Sequence, residues 1–146
     1  LIIRGCGPVG YPGSAEVVNM QPPDRLLKKG IRHLPTLGDG RQSGTSESPS
    51  ILHVSPESAV GGDLGIVKTY DKIKIDLNKR RVDLLISQSE FKKRRKNKKL
   101  FKADNQTPWQ EIFRNTVGQL EDGACINSRG NYLDISNKKG LPRNSH

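Results

Sequence analysis

Glu16, Arg41, Ser43 and Thr45 are the side chains whose types and surroundings suit chemistry on a small anion. Glu16 follows Tyr11-Pro12-Gly13-Ser14-Ala15. A glutamate is ordinarily a solvated surface group. One flanked by tight-turn glycines and prolines is alternatively a positioned carboxylate, the oxygen donor that a hard cation such as magnesium prefers. Gly38–Ser50 reads GDGRQSGTSESPS, with Ser43 and Thr45 on either side of Gly44. Gly38, Gly40 and Gly44 let backbone amides turn toward an anionic group such as a substrate carboxylate. Arg41 adds a charge-assisted contact or holds the loop. No histidine neighbours Ser43 in sequence, so a hydrolase triad is unsupported. A serine hydroxyl serves as a base where a nearby metal lowers its pKa. The other reading of Gly38–Ser50 is a flexible linker. Asp39, Arg41 and Glu47 within it, and the return of Ile51-Leu52 directly after it, favour a held loop. Glu57 in HVSPESA suits the start of a helical turn, where a carboxylate is favoured by capping alone. His33 and His53 are isolated and fit structural hydrogen bonding.

The elements that must position these residues are short. Pro8, Pro12, Pro22 and Pro23 leave room for only a short helix around Ser14–Asn19. Leu1–Ile3 reads as the end of a strand whose beginning is missing. Asp24–Lys29 predicts a turn or two of helix, with Asp24 as N-cap and Gly30 as terminator. Ile31–Leu37, interrupted by Pro35, fits an edge or terminating strand, and Ile66–Val67 a short strand. Lys72–Leu77 alternates, and Arg81–Ser87 follows a turn at Asn78-Lys79, which predicts a β-hairpin. Ser87-Gln88-Ser89-Glu90 matches a capping box and starts a helix that runs into the basic stretch. Thr107-Pro108 starts another, with proline at the first helical position. Trp109, Ile112, Phe113, Val117 and Leu120 then share one face, a spacing that predicts core packing. Residues 127–146 read as irregular. The expected division is 1–87 as the catalytic unit, 88–104 as a basic helix and linker, and 105–146 as a helix and tail.

Composition alone points elsewhere. The chain has 146 residues, is 32% hydrophobic and carries a formal net charge of +10. The apolar share falls below the ~45–50% of ordinary domains, so part of the core is expected from polypeptide outside this sequence. Seven of the eight residues Lys92–Lys99 are basic, which leaves net +3 for all the rest. The basicity is local, and the run lacks interleaved aromatics apart from Phe91 and Phe101. A basic, non-enzymatic nucleic-acid-binding module through Arg80–Lys102 is therefore the weaker class of function. No segment reaches the ~18 apolar residues of a membrane span. Two distant cysteines, Cys6 and Cys125, make no disulfide framework and suit a reducing compartment.

Three long strings carry a resemblance: IIRGCGPVGYPGSAEVVNMQPPDRLLKKGI, LPTLGDGRQSGTSESPSILHVSPESAVGG and KIDLNKRRVDLLIS. They resemble the dihydroxy-acid dehydratase and phosphogluconate dehydratase family, in its C-terminal part. YPG before AEVVNMQPP, DGRQSGTS, QTPWQEI and GLPRNSH are similar to the sugar-acid branch, the arabinonate and xylonate dehydratases. Ser14 and Glu47 stand where that family suggests methionine and glycine, and the lysine-rich run is atypical of it.

The resemblance implies an α+β fold with a β-barrel-like C-terminal domain and flanking helices. It implies removal of water from a 2,3-dihydroxy acid to give a 2-keto-3-deoxy acid. Ser43 is then the base at the carbon beside the carboxylate, with Thr45 as its catalytic neighbour and Arg41 and Gly44 as substrate contacts. Glu16 becomes a magnesium (Mg2+) ligand. An iron–sulfur cluster, the 2Fe–2S type ahead of others, binds the leaving hydroxyl as a Lewis acid. The cluster cysteines are expected upstream of this chain, so Cys6 and Cys125 are not assigned to it and residues 1–146 alone are expected to be inactive. The implied partner is a small sugar acid, with no membrane and no nucleic acid, in a homo-oligomer that is cytoplasmic or mitochondrial. A branched-chain dihydroxy-acid dehydratase is the alternative within the family.

Overall fold

The computed structural model describes residues 1–12, 16–17, 22–42, 49–126 and 138. The class is α+β, with three α-helices and small sheets among the described residues. The strands β1 (Ile2–Ile3), β3 (Thr36–Gly38) and β5 (Ser50–Ile51) form a parallel sheet in the order β1-β3-β5. Its register pairs Ile2 with Leu37 and Leu37 with Ile51. The segment around Leu37 is thus a central strand, not the edge strand that Pro35 suggested, because Pro35 lies one residue outside the paired stretch. The strands β2 (Glu16–Val17) and β4 (Arg41–Gln42) form a second parallel pair. Glu16–Val17 is therefore strand where a short helix was expected, and the remainder of Ser14–Asn19 lies outside the described residues.

The hairpin is present as β6 (Ile73–Asp76) and β7 (Arg81–Leu84), antiparallel from Ile73 opposite Leu84 to Asp76 opposite Arg81. Ile66 closes a 3₁₀ turn, Asp63–Ile66, with Val67 extended after it, so no strand forms there. Sheets of three, two and two strands do not close a barrel among the described residues. Closure needs every strand paired on both sides, and β1 and β5 are each paired on one side only.

Two small cores lie among the described residues. Leu37, Leu64 and Val67 are buried together, with Ile2, Ile51, Val54, Ile73 and Leu84 packed against them. Each full burial of such a side chain stabilises by about 1.5–3 kcal/mol. Val9, Ala59 and Val117 form the second, with Phe113 and Ala124 beside it.

Helix α1 spans Asp24–Leu27 and ends ahead of Gly30, with Pro23 rather than Asp24 in the N-cap position. Helix α2 spans Gln88–Lys96, and its N-cap Ser87 accepts from the Glu90 amide at 3.2 Å. Helix α3 spans Pro108–Thr116 and is capped in the same way by Thr107. The apolar face of α3 is only partly core. Val117 is buried and Phe113 half-buried, but Trp109 is 78% exposed and Ile112 52% exposed. The helix docks through its C-terminal end, where Arg114 reaches the 5–10 turn, and that leaves its first turn outward.

The basic run is not uniform. Arg94 inserts between Asp71 and Glu90, giving a forked pair to Asp71 at 2.5 and 3.1 Å and a 2.7 Å bond to Glu90. It also donates to the Ile66 carbonyl. Lys98 donates to the carbonyl of Gly61. Hydrogen bonding to Arg94 holds both carboxyls below the usual range, and the two acids raise Arg94 in turn. A carboxyl lowered by folding contributes stability that is present at neutral pH and lost as pH falls through its folded value. Between about pH 5 and pH 3 the urea midpoint of the full-length protein is therefore expected to fall. Over that range the gap between wild type and Arg94→Ala should narrow. A gap as wide at the acid end as at neutral pH would show that the Arg94 pairs do not carry this stability.

Candidate active site

The segment Gly5–Gly10 reads GCGPVG, and two carboxylates grip it from opposite ends. Asp39 is fully buried at the foot of the glycine-rich loop. Its Oδ2 accepts from the Gly5 amide at 3.0 Å and the Ser58 amide at 2.9 Å, and its Oδ1 from the Cys6 amide at 3.0 Å. Glu57 is equally buried. Its Oε1 accepts from the Val9 amide and from the Gln119 side-chain Nε2, both at 2.9 Å, and its Oε2 from the Gly10 amide at 2.9 Å. The Glu57 amide donates back to Gln119 Oε1 at 3.2 Å. A buried carboxylate is stable only when donors meet it, and here three backbone amides meet Asp39, and two backbone amides and the Gln119 side chain meet Glu57.

Glycine is required by this geometry at two positions. A Cβ on Gly7 would lie 2.3 Å from Glu57 Oε2. Gly5 sits at φ +77°, and a Cβ there would lie 2.9 Å from the Phe101 Cβ. The outer side of the turn is laced by distant side chains. Arg114 donates to the carbonyls of Val9, Gly10 and Ala103. Arg4 donates to the carbonyls of Gly65 and Val67, and its guanidinium lies 4.2 Å from the Phe101 ring centre.

Beyond this turn the chain reaches β2, and β2 pairs with β4 directly after Asp39-Gly40. The register sets Glu16 opposite Arg41 and Val17 opposite Gln42. The backbones of Glu16 and of the DGRQ strand are thus neighbours, and Arg41 is exposed. Ser43, Gly44, Thr45 and Glu47 lie outside the described residues, and for Glu16 the description covers the backbone. His53 is exposed, in a left-handed conformation at φ +55°, and its amide donates to the Gly40 carbonyl. His33 is exposed as well.

Glu57 was read as a capping carboxylate. It does sit at the N-cap of the 3₁₀ turn Ser58–Val60, but its side chain makes no cap bond and turns into the protein instead. The roles of Asp39, Glu57 and Gln119 escaped the sequence reading. The available signal was the glycine pattern at 5, 7 and 10, which marks a backbone that something must approach closely.

Burial, and after it the charge of Asp39, push the Cys6 thiol up. Cys125 is exposed. Among the described residues no three His, Cys, Asp or Glu side chains converge to hold a metal ion. Nor is any described helix long and apolar enough to cross a membrane.

The amino-acid sequence is similar to those of known dehydratases. The chain is 54% identical over all 146 residues to a D-xylonate dehydratase of Caulobacter vibrioides, covering 24% of that protein. It is 48% identical over 94 residues, 64% of the chain, to an L-arabinonate dehydratase of Rhizobium leguminosarum, covering 16% of it. It is 40% identical over 127 residues, 86% of the chain, to a dihydroxy-acid dehydratase of Thermodesulfovibrio yellowstonii, covering 23% of it. The chain thus spans about a quarter or less of these relatives. Residues 1–124 match the family described as dihydroxy-acid/6-phosphogluconate dehydratase C-terminal, and the chain belongs to that family.

Proposed function

We propose that this chain forms the proton-abstracting part of a sugar-acid dehydratase that converts an aldonic acid into its 2-keto-3-deoxy acid. The observation that carries the reading is the parallel pairing of β2 with β4. It brings the backbone of Glu16 beside Arg41, two residues before Ser43. A carboxylate and a guanidinium residue then come from adjacent strands of one sheet, and Ser43 follows Arg41 by two positions in the chain. The D-xylonate and L-arabinonate dehydratases among the relatives support the aldonic substrate class.

In this reading Ser43 Oγ removes the proton from carbon 2 of the substrate. The C3–O bond breaks, the departing hydroxide takes the proton that Ser43 gained and leaves as water, and the enol formed gives up its hydroxyl proton as it takes one at carbon 3, giving the keto acid. Arg41 and the Gly44 amide hold the substrate, and Thr45 orients it beside Ser43. When bound, magnesium and an iron–sulfur cluster would supply Lewis acidity at the carboxylate and at the departing oxygen. Glu16 offers the hard oxygen donor that magnesium prefers.

The test uses the full-length protein with D-xylonate, L-arabinonate and a branched-chain 2,3-dihydroxy acid, followed by 2-keto acid formation. We expect kcat/KM for an aldonic acid to exceed that for the branched acid by at least about tenfold, a discrimination of about 1.4 kcal/mol in the barrier. The reverse order would assign the chain to the branched-chain side, in keeping with its dihydroxy-acid dehydratase relatives. No keto acid from any of the three would sink the reading.

A further inference from the structure

We infer that Asp39 and Glu57 are positioning residues, a carboxylate clamp that sets β2, with Glu16, against β4, with Arg41. The inference rests on the dehydratase reading above. Both side chains are fully buried, and each accepts three hydrogen bonds. Their donors divide the turn between them: Gly5 and Cys6 go to Asp39, Val9 and Gly10 to Glu57. The two grips are joined, because Ser58 follows Glu57 and donates its own amide to Asp39. Turn, loop foot and Ser58–Val60 therefore move as one body.

The clamp lies at the root of both arms of the proposed site. Asp39 stands two residues before β4 and four before Ser43, and the turn it grips leads through residues 11–15 to β2 and Glu16. Both acids are fully buried and each spends three acceptor positions on donors of the protein itself, so we assign them to positioning rather than to contact with substrate. Their effect on turnover passes through the backbone. A reacting group displaced by about 1 Å loses about a hundredfold in rate.

Glu57→Gln is the sharp probe. The amide keeps the volume but supplies one acceptor oxygen, which satisfies Val9 and Gln119 on one side. Its NH2 then faces the Gly10 amide, donor against donor. The full-length enzyme is assayed for kcat, KM and exchange of the substrate's α-hydrogen in D2O, together with hydrogen exchange at the Val9 and Gly10 amides. Glu57→Gln is expected to lower kcat about tenfold to hundredfold with KM little changed, and to speed exchange at both amides. Arg94→Ala serves as the control. It removes an ion-pair network outside the clamp and should lower the urea midpoint while leaving kcat alone.

A wild-type kcat in Glu57→Gln overturns the inference, as does an equal loss of kcat in Arg94→Ala. If Glu57→Gln does not fold, Gln119→Ala decides. It removes only the outer partner of Glu57, and a lowered kcat at constant KM supports the clamp, whereas an unchanged kcat overturns it. Failure of the underlying reading shows elsewhere, as a wild-type enzyme that makes no 2-keto acid.

Discussion

Asp39→Ala is expected to destabilise the full-length protein by about 3–6 kcal/mol, close to the whole margin of a typical domain. Three buried backbone donors, on Gly5, Cys6 and Ser58, lose their acceptor at once. A buried donor left unpaired costs about 1–3 kcal/mol. Water does not readily replace the carboxylate, since Asp39 is fully buried and its neighbours Gly38 and Gly40 are buried with it. Asp39→Asn should be milder. Its remaining oxygen can still serve two of the three amides, and the loss should be about 1–3 kcal/mol. Urea denaturation followed by circular dichroism gives both values. A loss below about 1 kcal/mol in Asp39→Ala would mean that water or a neighbouring group satisfies these amides, and the clamp would then be of little account.

Ser43→Ala is expected to abolish dehydration while leaving the fold unchanged. It removes one hydroxyl and touches none of the contacts described for Asp39 or Glu57. Loss of a general base lowers the rate by about 10²–10⁴, and by more if no other group can take the proton. Substrate should still bind, because Arg41 and the loop amides remain. The decisive readout is exchange of the substrate's α-hydrogen with solvent deuterium, which reports proton removal independently of water loss. Exchange at the wild-type rate in Ser43→Ala would relieve Ser43 of the role of base. A variant that lost urea stability to the same degree as Asp39→Ala would show instead that Ser43 holds the loop together.

What could be read from the chain beforehand depended on whether the signal was local. The hairpin was legible because Lys72–Leu77 alternates and Asn78-Lys79 breaks it, and the structure pairs Ile73–Asp76 with Arg81–Leu84. The caps at Ser87 and Thr107 were legible because a hydroxyl three residues ahead of an amide suffices. Two-residue strands such as β2 and β4 are too short for alternation to show, so the prolines around Ser14–Asn19 leave room for at most a short helix there and give no sign of strand at Glu16–Val17. The partners of Asp39 and Glu57 left no mark for a different reason. Their donors are backbone amides 33 to 48 residues away for the turn, and every residue but proline has such an amide. Only the glycines that make room for the carboxylates are visible in the chain. The α3 stripe failed in the opposite direction. Helical spacing shows that one face is apolar, but not how much of it another element covers, and Trp109 remains largely exposed.

The lacing of the turn by Arg114 also sets an order of assembly. The bonds from Val9 and Gly10 to Glu57 close over 48 and 47 residues, whereas Arg114 reaches the Val9 carbonyl across 105. At equilibrium the longer closure is cheap, adding under about 1 kcal/mol of chain entropy. During synthesis it is late. At about 5–20 residues per second, the ribosome needs several seconds more after Glu57 is made before Arg114 and Gln119 exist. Throughout that interval the Gln119 side chain is not there for Glu57, nor Arg114 for the Val9 and Gly10 carbonyls. Until Val117 is in place, the Val9 and Ala59 side chains lack the partner that packs against them in the folded chain.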